Sequence, residues 1–260
     1  MVLELYLDLL SQPCRAVFIF AKKNNIPFII RSMEMLKGQL FSEEFNKVNI
    51  LRKVPVLKDG DFILEESTAI LLYLTRKYNT PSHWYPPDMK KRARVDEFLA
   101  WQHSNLRPCA AKILWLRVVI PLFLGQQIPS EKVQDALEEL NISLQKLDEK
   151  FLQDRPFIIG SEISLADLVA ITELMQVNTR TWDKLPELTK WPPCLTRIFS
   201  LFHSRWAPVG TSSTAAPSSS NGASVWRWRW ARSSSWRPMR ASLMRRSSRT
   251  SPSTHRSRPR

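Results

Sequence analysis

The stretch VPVLKDGDFILEES, residues 54–67, constrains the fold more than any other part of this chain. Two apolar runs meet around Asp59-Gly60, and the glycine can take the positive φ that a tight hairpin turn requires. A hairpin alone cannot bury its apolar face, so neighbouring segments must supply the rest of a layer. LELYLDL (3–9) reads as a short strand, and RAVFIFAKKNN (15–25) as a helix with Ala16, Phe18, Ile19 and Phe20 available to pack. PFIIRSMEM (27–35) is β-prone, SEEFNKVN (42–49) offers a short helix with an acidic start, and STAILLYLTRKY (67–78) closes as a buried helix. The order βαβαββα predicts an α/β sandwich over residues 1–78.

The Pro-punctuated NTPSHWYPPDM places a linker at 79–88, and an all-helical domain is expected over 89–200. KKRARVDEFLAWQHSNLR (90–107) is amphipathic, and AKILWLRVVIPLF (111–123) is apolar until Pro121. In residues 130–152, Val133, Leu137, Leu140, Leu144, Leu147 and Phe151 step by four and three, which is one helical stripe. ISLADLVAITELM (163–175) opens with Ser164 and Asp167 as a capping box. Ile163 and Leu168 stand where a hydrophobic staple clamps the entry. This box serves folding and is given no catalytic role.

Charge separates the fold from the C-terminal tail. The chain carries a formal net charge of +14, yet residues 1–187 hold all 24 acids and balance to zero. The whole excess lies from Leu188 onward, so it is no sign of a nucleic-acid-binding fold. Residues 201–260 are rich in Ser, Arg and Trp without any acid, a composition expected to be disordered. The opening MVLELYLDLL has no basic leader, and ILWLRVVIPLFL (113–124) is too short to span a membrane and contains Arg117 and Pro121. The three cysteines, Cys14, Cys109 and Cys194, show neither disulfide nor metal-ligand spacing. A cytoplasmic protein without a metal site is expected.

Several separated motifs carry a resemblance: LELYLDLLSQPCRAV, KVPVLKDGDF, LEESTAILLYLTRKY, RARVDEFLAWQH and ISLADLVAITELM. Over about residues 1–175 the chain resembles the theta class of glutathione S-transferases. The resemblance implies a thioredoxin-like N-terminal domain that binds glutathione and an all-α C-terminal domain that binds an electrophile. It also implies a homodimer, with glutathione as co-substrate and a small electrophilic substrate such as an alkyl halide, a reactive ester or a peroxide.

A thiol with a pKa of about 8.5 is mostly protonated at neutral pH, so a conjugating enzyme must hold the thiolate and aim it. Ser11 in S-x-x-C stands just before a helix, with Pro13 in its first turn. Taken alone, Ser11 reads as an ordinary N-cap. The resemblance implies instead that its hydroxyl donates to the glutathione sulfur, with the helix end assisting. Cys14 has no second cysteine at C-x-x-C spacing, which leaves a glutaredoxin-type reductase as the weaker reading.

The remaining expected contacts also come from the resemblance. Val54, before Pro55, pairs through its backbone with the cysteinyl part of glutathione, and Lys53 meets the glycine carboxylate. Glu66 takes the γ-glutamyl ammonium and Ser67 the γ-glutamyl carboxylate at a helix start. Arg107 faces the electrophile pocket, although Pro108 beside it is expected to disturb the backbone. Leu40 stands where the class usually has histidine, so one contact to glutathione is missing and affinity is expected to fall by about 1 kcal/mol. Two further readings stand beside the enzyme. One is a non-catalytic glutathione or hydrophobic-ligand binder with a damaged C-terminal lid. The other lets the alternating Trp and Arg in SVWRWRWARSSSWRPMRAS (224–242) bind an anionic membrane or a single-stranded nucleic acid.

Overall fold

The computed structural model describes residues 2–177. Strand β1 (Leu3–Leu7) buries Leu3, Leu5 and Leu7 and leaves Glu4 and Tyr6 partly exposed, the period of two that a strand imposes. It runs parallel to β2 (Phe28–Ser32) and antiparallel to β3 (Val56–Asp59). The expected hairpin forms: β3 turns at Gly60, with φ 65°, into β4 (Phe62–Leu64). The four strands lie in the order β2-β1-β3-β4. A parallel pair needs a crossover, and α1 (Gln12–Lys23) supplies it. Helix α2 (Glu43–Val48) starts under a cap in which Phe45 N–H donates to Ser42 Oγ at 3.2 Å, and α3 (Ser67–Lys77) comes after the hairpin. This mixed sheet with α1 and α3 packed together is a thioredoxin-like unit.

Among the described residues the second half holds five α-helices: α4 (Met89–Ser104), α5 (Leu106–Leu114), α6 (Ile120–Leu124), α7 (Ser130–Lys146) and α8 (Leu165–Leu174). The stretch that is apolar until Pro121 is not one uniform helix. Trp115–Val119 is wound as a π-helix between α5 and α6. Pro121 brings no N–H to the Arg117 carbonyl, and the turn before it widens. The stripe predicted for residues 130–152 buries Leu140, Leu144, Leu147 and Phe151, while Val133 and Leu137 near its start are half-buried. Pro108 does not disturb the chain, because it falls in the first turn of α5, where N–H groups have no helical partner. Expectations for Cys194, for residues 178–200 and for the tail at 201–260 lie outside the described residues.

Every residue of α8 is buried, and α1, α4 and α5 all pack on it. Its start is held by the predicted box. Asp167 Oδ2 accepts from the Ser164 N–H at 2.9 Å and from the Ser164 hydroxyl at 2.8 Å. Asp167 Oδ1 takes a further bond that no local pattern announces, from the Ile158 N–H at 2.8 Å. Burial pushes the Asp167 carboxyl up to about 6, against the pull of these three donors. The linker is strapped to the same point. Leu165 N–H donates to Trp84 O at 2.9 Å, and His83 Nδ1–H donates to Ile163 O at 2.7 Å. Trp84 itself is buried edge-on against Phe20 of α1, with ring centroids 5.3 Å apart, a contact worth about 1 kcal/mol beyond its burial.

Replacing Asp167 by alanine strands the Ile158 and Ser164 N–H groups inside the protein. Asp167→Ala is expected to lower unfolding stability by about 3 kcal/mol, measured by urea denaturation. A loss below about 0.5 kcal/mol, the range of neutral surface changes, would show that these bonds do not hold α8.

Candidate active site

The strand register gathers the expected site residues. Tyr6 pairs with Val56 and Leu57 with Leu64, so the end of β1, the start of β3 and the end of β4 share one edge of the sheet. The loop after β1 carries Ser11, the segment before β3 carries Lys53 and Val54, and the segment after β4 carries Glu66 and Ser67. The end of β2 joins them through Met33 N–H, which donates to Leu7 O at 2.9 Å. Arg107 belongs to α5, in the helical part.

The loop from Asp8 to Ser11 is held from both sides. Asp8 Oδ1 accepts from the Leu10 N–H at 2.9 Å, and Asp8 Oδ2 from the Met35 N–H at 2.8 Å. The Ser11 N–H donates to Asp8 O at 3.0 Å. From the far side, Arg15 Nη1 donates to Leu9 O and Leu10 O, each at 3.0 Å. Ser11 is thereby set in extended backbone, φ −79° and ψ 129°, at the N-cap position of α1. Its carbonyl accepts the first helical bond, from Arg15 N–H at 3.1 Å. Among the described residues its hydroxyl makes no capping hydrogen bond. The ordinary use of a serine at this position is therefore not the one seen.

Beneath Ser11 lies Cys14, fully buried. Burial pushes its thiol up to about 11, while a hydrogen bond with the Ser11 side chain pulls the other way. Cys14 is a neutral thiol at physiological pH, and neither of the cysteines among the described residues is in a disulfide. Such a sulfur is a poor nucleophile for redox exchange.

The other expected ligands occupy distinct settings. The Val54-Pro55 peptide is cis, and Val54 is half-buried against the core. Lys53 is exposed, and its carbonyl accepts from Asn49 Nδ2 at 2.9 Å, which ties down the loop before the proline. Glu66 has φ 64°, a conformation unusual for a residue with a side chain, and it caps α3 by position. Ser67, the first residue of α3, is buried. A cavity of about 390 Å³ opens beside Glu66, lined also by Thr68 and, from α4, by Asp96, Leu99, Ala100 and His103. Leu40 sits half-buried in a 3-10 turn, Gln39–Phe41.

Arg107 is engaged within the fold. Its Nε donates to Glu173 Oε1 at 2.7 Å, and Nη1 donates to His103 Nδ1 at 3.1 Å. Glu173 on α8 is fully buried. Burial pushes its carboxyl up, and the charges of Arg107 and Arg15 hold it down. Sequence reasoning named neither Asp8, Arg15 nor Glu173 for the site. Arg15 lay in plain view in SQPCRAV, and Glu173 is an acid inside the otherwise apolar LVAITELM, which is a signal in itself. Among the described residues no helix is long and apolar enough to cross a membrane, and no group of three or more His, Cys, Asp or Glu is placed to hold a metal ion.

A thioredoxin-like sheet followed by a helical domain, with chemistry-bearing residues at the β1 end, is the architecture of glutathione S-transferases. The sequence profile of the glutathione S-transferase N-terminal domain matches residues 5–82, and that of the C-terminal domain matches residues 106–198. Glutathione S-transferase theta-3 of Mus musculus is 57% identical over 194 residues, covering 74% of this chain and 80% of the mouse protein. The structure of human glutathione transferase theta-2 in complex with glutathione and an unknown ligand superposes with a TM-score of 0.71 at 48% identity, covering 78% of this chain and 81% of that one. A human theta-class enzyme in complex with the glutathione conjugate of 1-menaphthyl sulfate gives a TM-score of 0.72 at 48% identity, over 79% of this chain and 82% of that one. The chain belongs to the theta class of glutathione S-transferases, and glutathione conjugation in the general sense of that class is its activity.

The burial of Cys14 has a direct chemical consequence. With a pKa near 11 its thiolate fraction at pH 7.5 is roughly one part in three thousand, so alkylating reagents are expected to spare it in the native protein. Peptide mass mapping after iodoacetamide treatment checks this. Cys14 should be modified only after unfolding, and native-state labelling would contradict the environment described.

Proposed function

We propose that this protein conjugates glutathione to small electrophiles, namely alkyl halides, reactive esters and peroxides, with Ser11 as the residue that stabilises the thiolate. The observation that carries the reading is the Ser11 side chain, which stands at the N-terminal end of α1 and makes no capping bond to it. Burial keeps Cys14 a neutral thiol, so no thiolate of this chain competes for the proton of the Ser11 hydroxyl, which is left to an outside acceptor. That acceptor is the glutathione sulfur. The positive end of α1 adds to the stabilisation, and the bound thiol titrates below its free value of about 8.5. The thiolate then attacks the electrophilic carbon. A carbon–sulfur bond forms, and the halide or the ester's oxyanion leaves with the bonding electron pair. At a peroxide the thiolate attacks oxygen instead, a sulfur–oxygen bond forms, and the alkoxide leaves with the electron pair of the broken O–O bond.

In this reading the backbone of Val54 pairs with the cysteinyl unit, Lys53 meets the glycine carboxylate, and Glu66 and Ser67 hold the γ-glutamyl end. Arg107 borders the electrophile pocket, its charge shared with Glu173. The conjugate of 1-menaphthyl sulfate bound by the human relative supports reactive sulfate esters as one substrate class. Residues 1–78 form the glutathione-binding domain, 79–88 the linker, 89–200 the electrophile-binding domain and 201–260 a basic tail. The protein acts as a homodimer in the cytoplasm.

The Ser11→Ala variant should keep its fold and return the bound thiol toward about 8.5, with turnover at pH 6.5 falling at least tenfold. Titration of bound glutathione by ultraviolet thiolate absorbance reads the first effect and a halide conjugation assay the second. Unchanged values in both would remove Ser11 from the mechanism. Restoring a polar donor with Leu40→His should tighten glutathione about fivefold in calorimetry, the equivalent of one hydrogen bond. Binding without turnover in the parent protein would favour the non-catalytic binder.

A further inference from the structure

The hydrogen bonds of the Arg15 guanidinium run in two directions. One nitrogen, Nη1, donates to the carbonyls of Leu9 and Leu10, the two residues immediately before Ser11, each at 3.0 Å. The other, Nη2, donates to Thr172 O at 3.1 Å and to Gln176 Oε1 at 2.5 Å, both at the C-terminal end of α8. The setting favours a cation there. Carbonyls in the last turn of a helix lack helical partners and carry the negative end of its dipole. The carboxylate of Glu173 adds its charge from the same turn. Burial pulls the Arg15 guanidinium down to about 10, which leaves it charged at neutral pH. Arg107 holds Glu173 from the other side. One cation therefore spans the loop that presents Ser11 and the buried helix of the electrophile-binding half.

We propose that Arg15 is a positioning residue for conjugation: its guanidinium locks the Leu9–Leu10–Ser11 backbone against α8, so that the Ser11 hydroxyl is held at the sulfur and in fixed relation to the electrophile. The inference rests on Ser11 being the thiolate holder. Only a planar fork reaches both pairs of acceptors at once; a lysine ammonium at the same place presents one compact donor centre. Without the fork the Leu9 and Leu10 carbonyls lose their restraint, and the loop keeps only its bonds to Asp8, from the Leu10 and Ser11 N–H groups, and the first helical bond at Ser11 O. The hydroxyl then samples positions out of reach of the sulfur, and bound glutathione becomes a weaker acid. Glutathione is still held, because Lys53, Val54, Glu66 and Ser67 belong to other segments.

The test compares Arg15→Gln, Arg15→Lys, Ser11→Ala and the double variant Ser11→Ala/Arg15→Gln in the full chain. Thiol titration of bound glutathione and halide conjugation kinetics are read on each. Arg15→Gln should raise the apparent pKa of the bound thiol by about one unit and lower kcat about tenfold at pH 6.5, with the glutathione KM changed less than about twofold. Arg15→Lys, which keeps the charge beside Glu173, should shift the titration in the same direction. It carries the test by itself if Arg15→Gln does not fold. In the Ser11→Ala background the Arg15 substitution should change the titration by less than about 0.3 unit, because it acts through a hydroxyl no longer present. An unmoved titration in both Arg15 variants, or shifts in the double variant that simply add, overturns the proposal while leaving Ser11 in place. An unmoved titration in Ser11→Ala overturns the thiolate-holder reading itself, and the role of Arg15 falls with it.

Discussion

The hydrogen-bond ladder that β1 shares with β2 on one side and β3 on the other brings the chemistry of this chain together. Because β1 is central, its end meets the end of its parallel neighbour and the start of its antiparallel one. Three separate segments are delivered to one edge of the sheet without any contact between their side chains being required. The register is fixed by burial. Leu3, Leu5 and Leu7 all face the core, and a slip of one residue would turn every one of them to the other face. A shift of that kind would also change which segments lie beside the end of β1, so packing of the sheet and placement of the proposed site are one constraint.

A second constraint comes from charges taken out of water. Helix α8 is buried along its whole length, yet it carries Asp167 near its start and Glu173 near its end. Each carboxylate is costly to bury, and each is answered by several donors or cations that arrive from elsewhere in the chain. Asp167 draws in the backbone at Ile158 and Ser164, and Glu173 stands between Arg107 and Arg15. The polar groups of α8 thus determine which neighbours sit at which end. An apolar helix of the same shape could rotate or slide against α1 at little cost. This one cannot, and the loop that presents Ser11 shares that restraint.

Much of this was legible in the chain itself. The Asp59-Gly60 turn, the short first strand, the acidic-started helix at 42–49 and the Ser164–Asp167 box depend on interactions within a few residues, and each forms as its local chemistry dictates. The π-helical turn before Pro121 was less legible, because a missing N–H shows where a helix is disturbed and not how the carbonyls rearrange. Ser11 was recognisable as a residue at a helix start, but whether it caps was open, since a serine before a helix looks the same in sequence whatever its hydroxyl meets. Arg15 and Glu173 were hidden differently. Each is an ordinary charged residue within its own helix, and its meaning depends on a partner far along the chain.

The sequence by itself determined the order of strands and helices, the hairpin, the Ser164–Asp167 capping box and the membership of a family whose motifs are spread through both halves. These depend on backbone preferences and side-chain reach over a handful of positions. Only the tertiary structure decided which charges are buried together, that the Ser11 hydroxyl leaves its helix uncapped, and that Arg15 joins the Ser11 loop to α8. The bond from Arg15 to Thr172 crosses 157 positions. No local rule reaches that far. The pairing exists because packing of α1 on α8 brings the guanidinium to the carbonyl and leaves little water there to replace it.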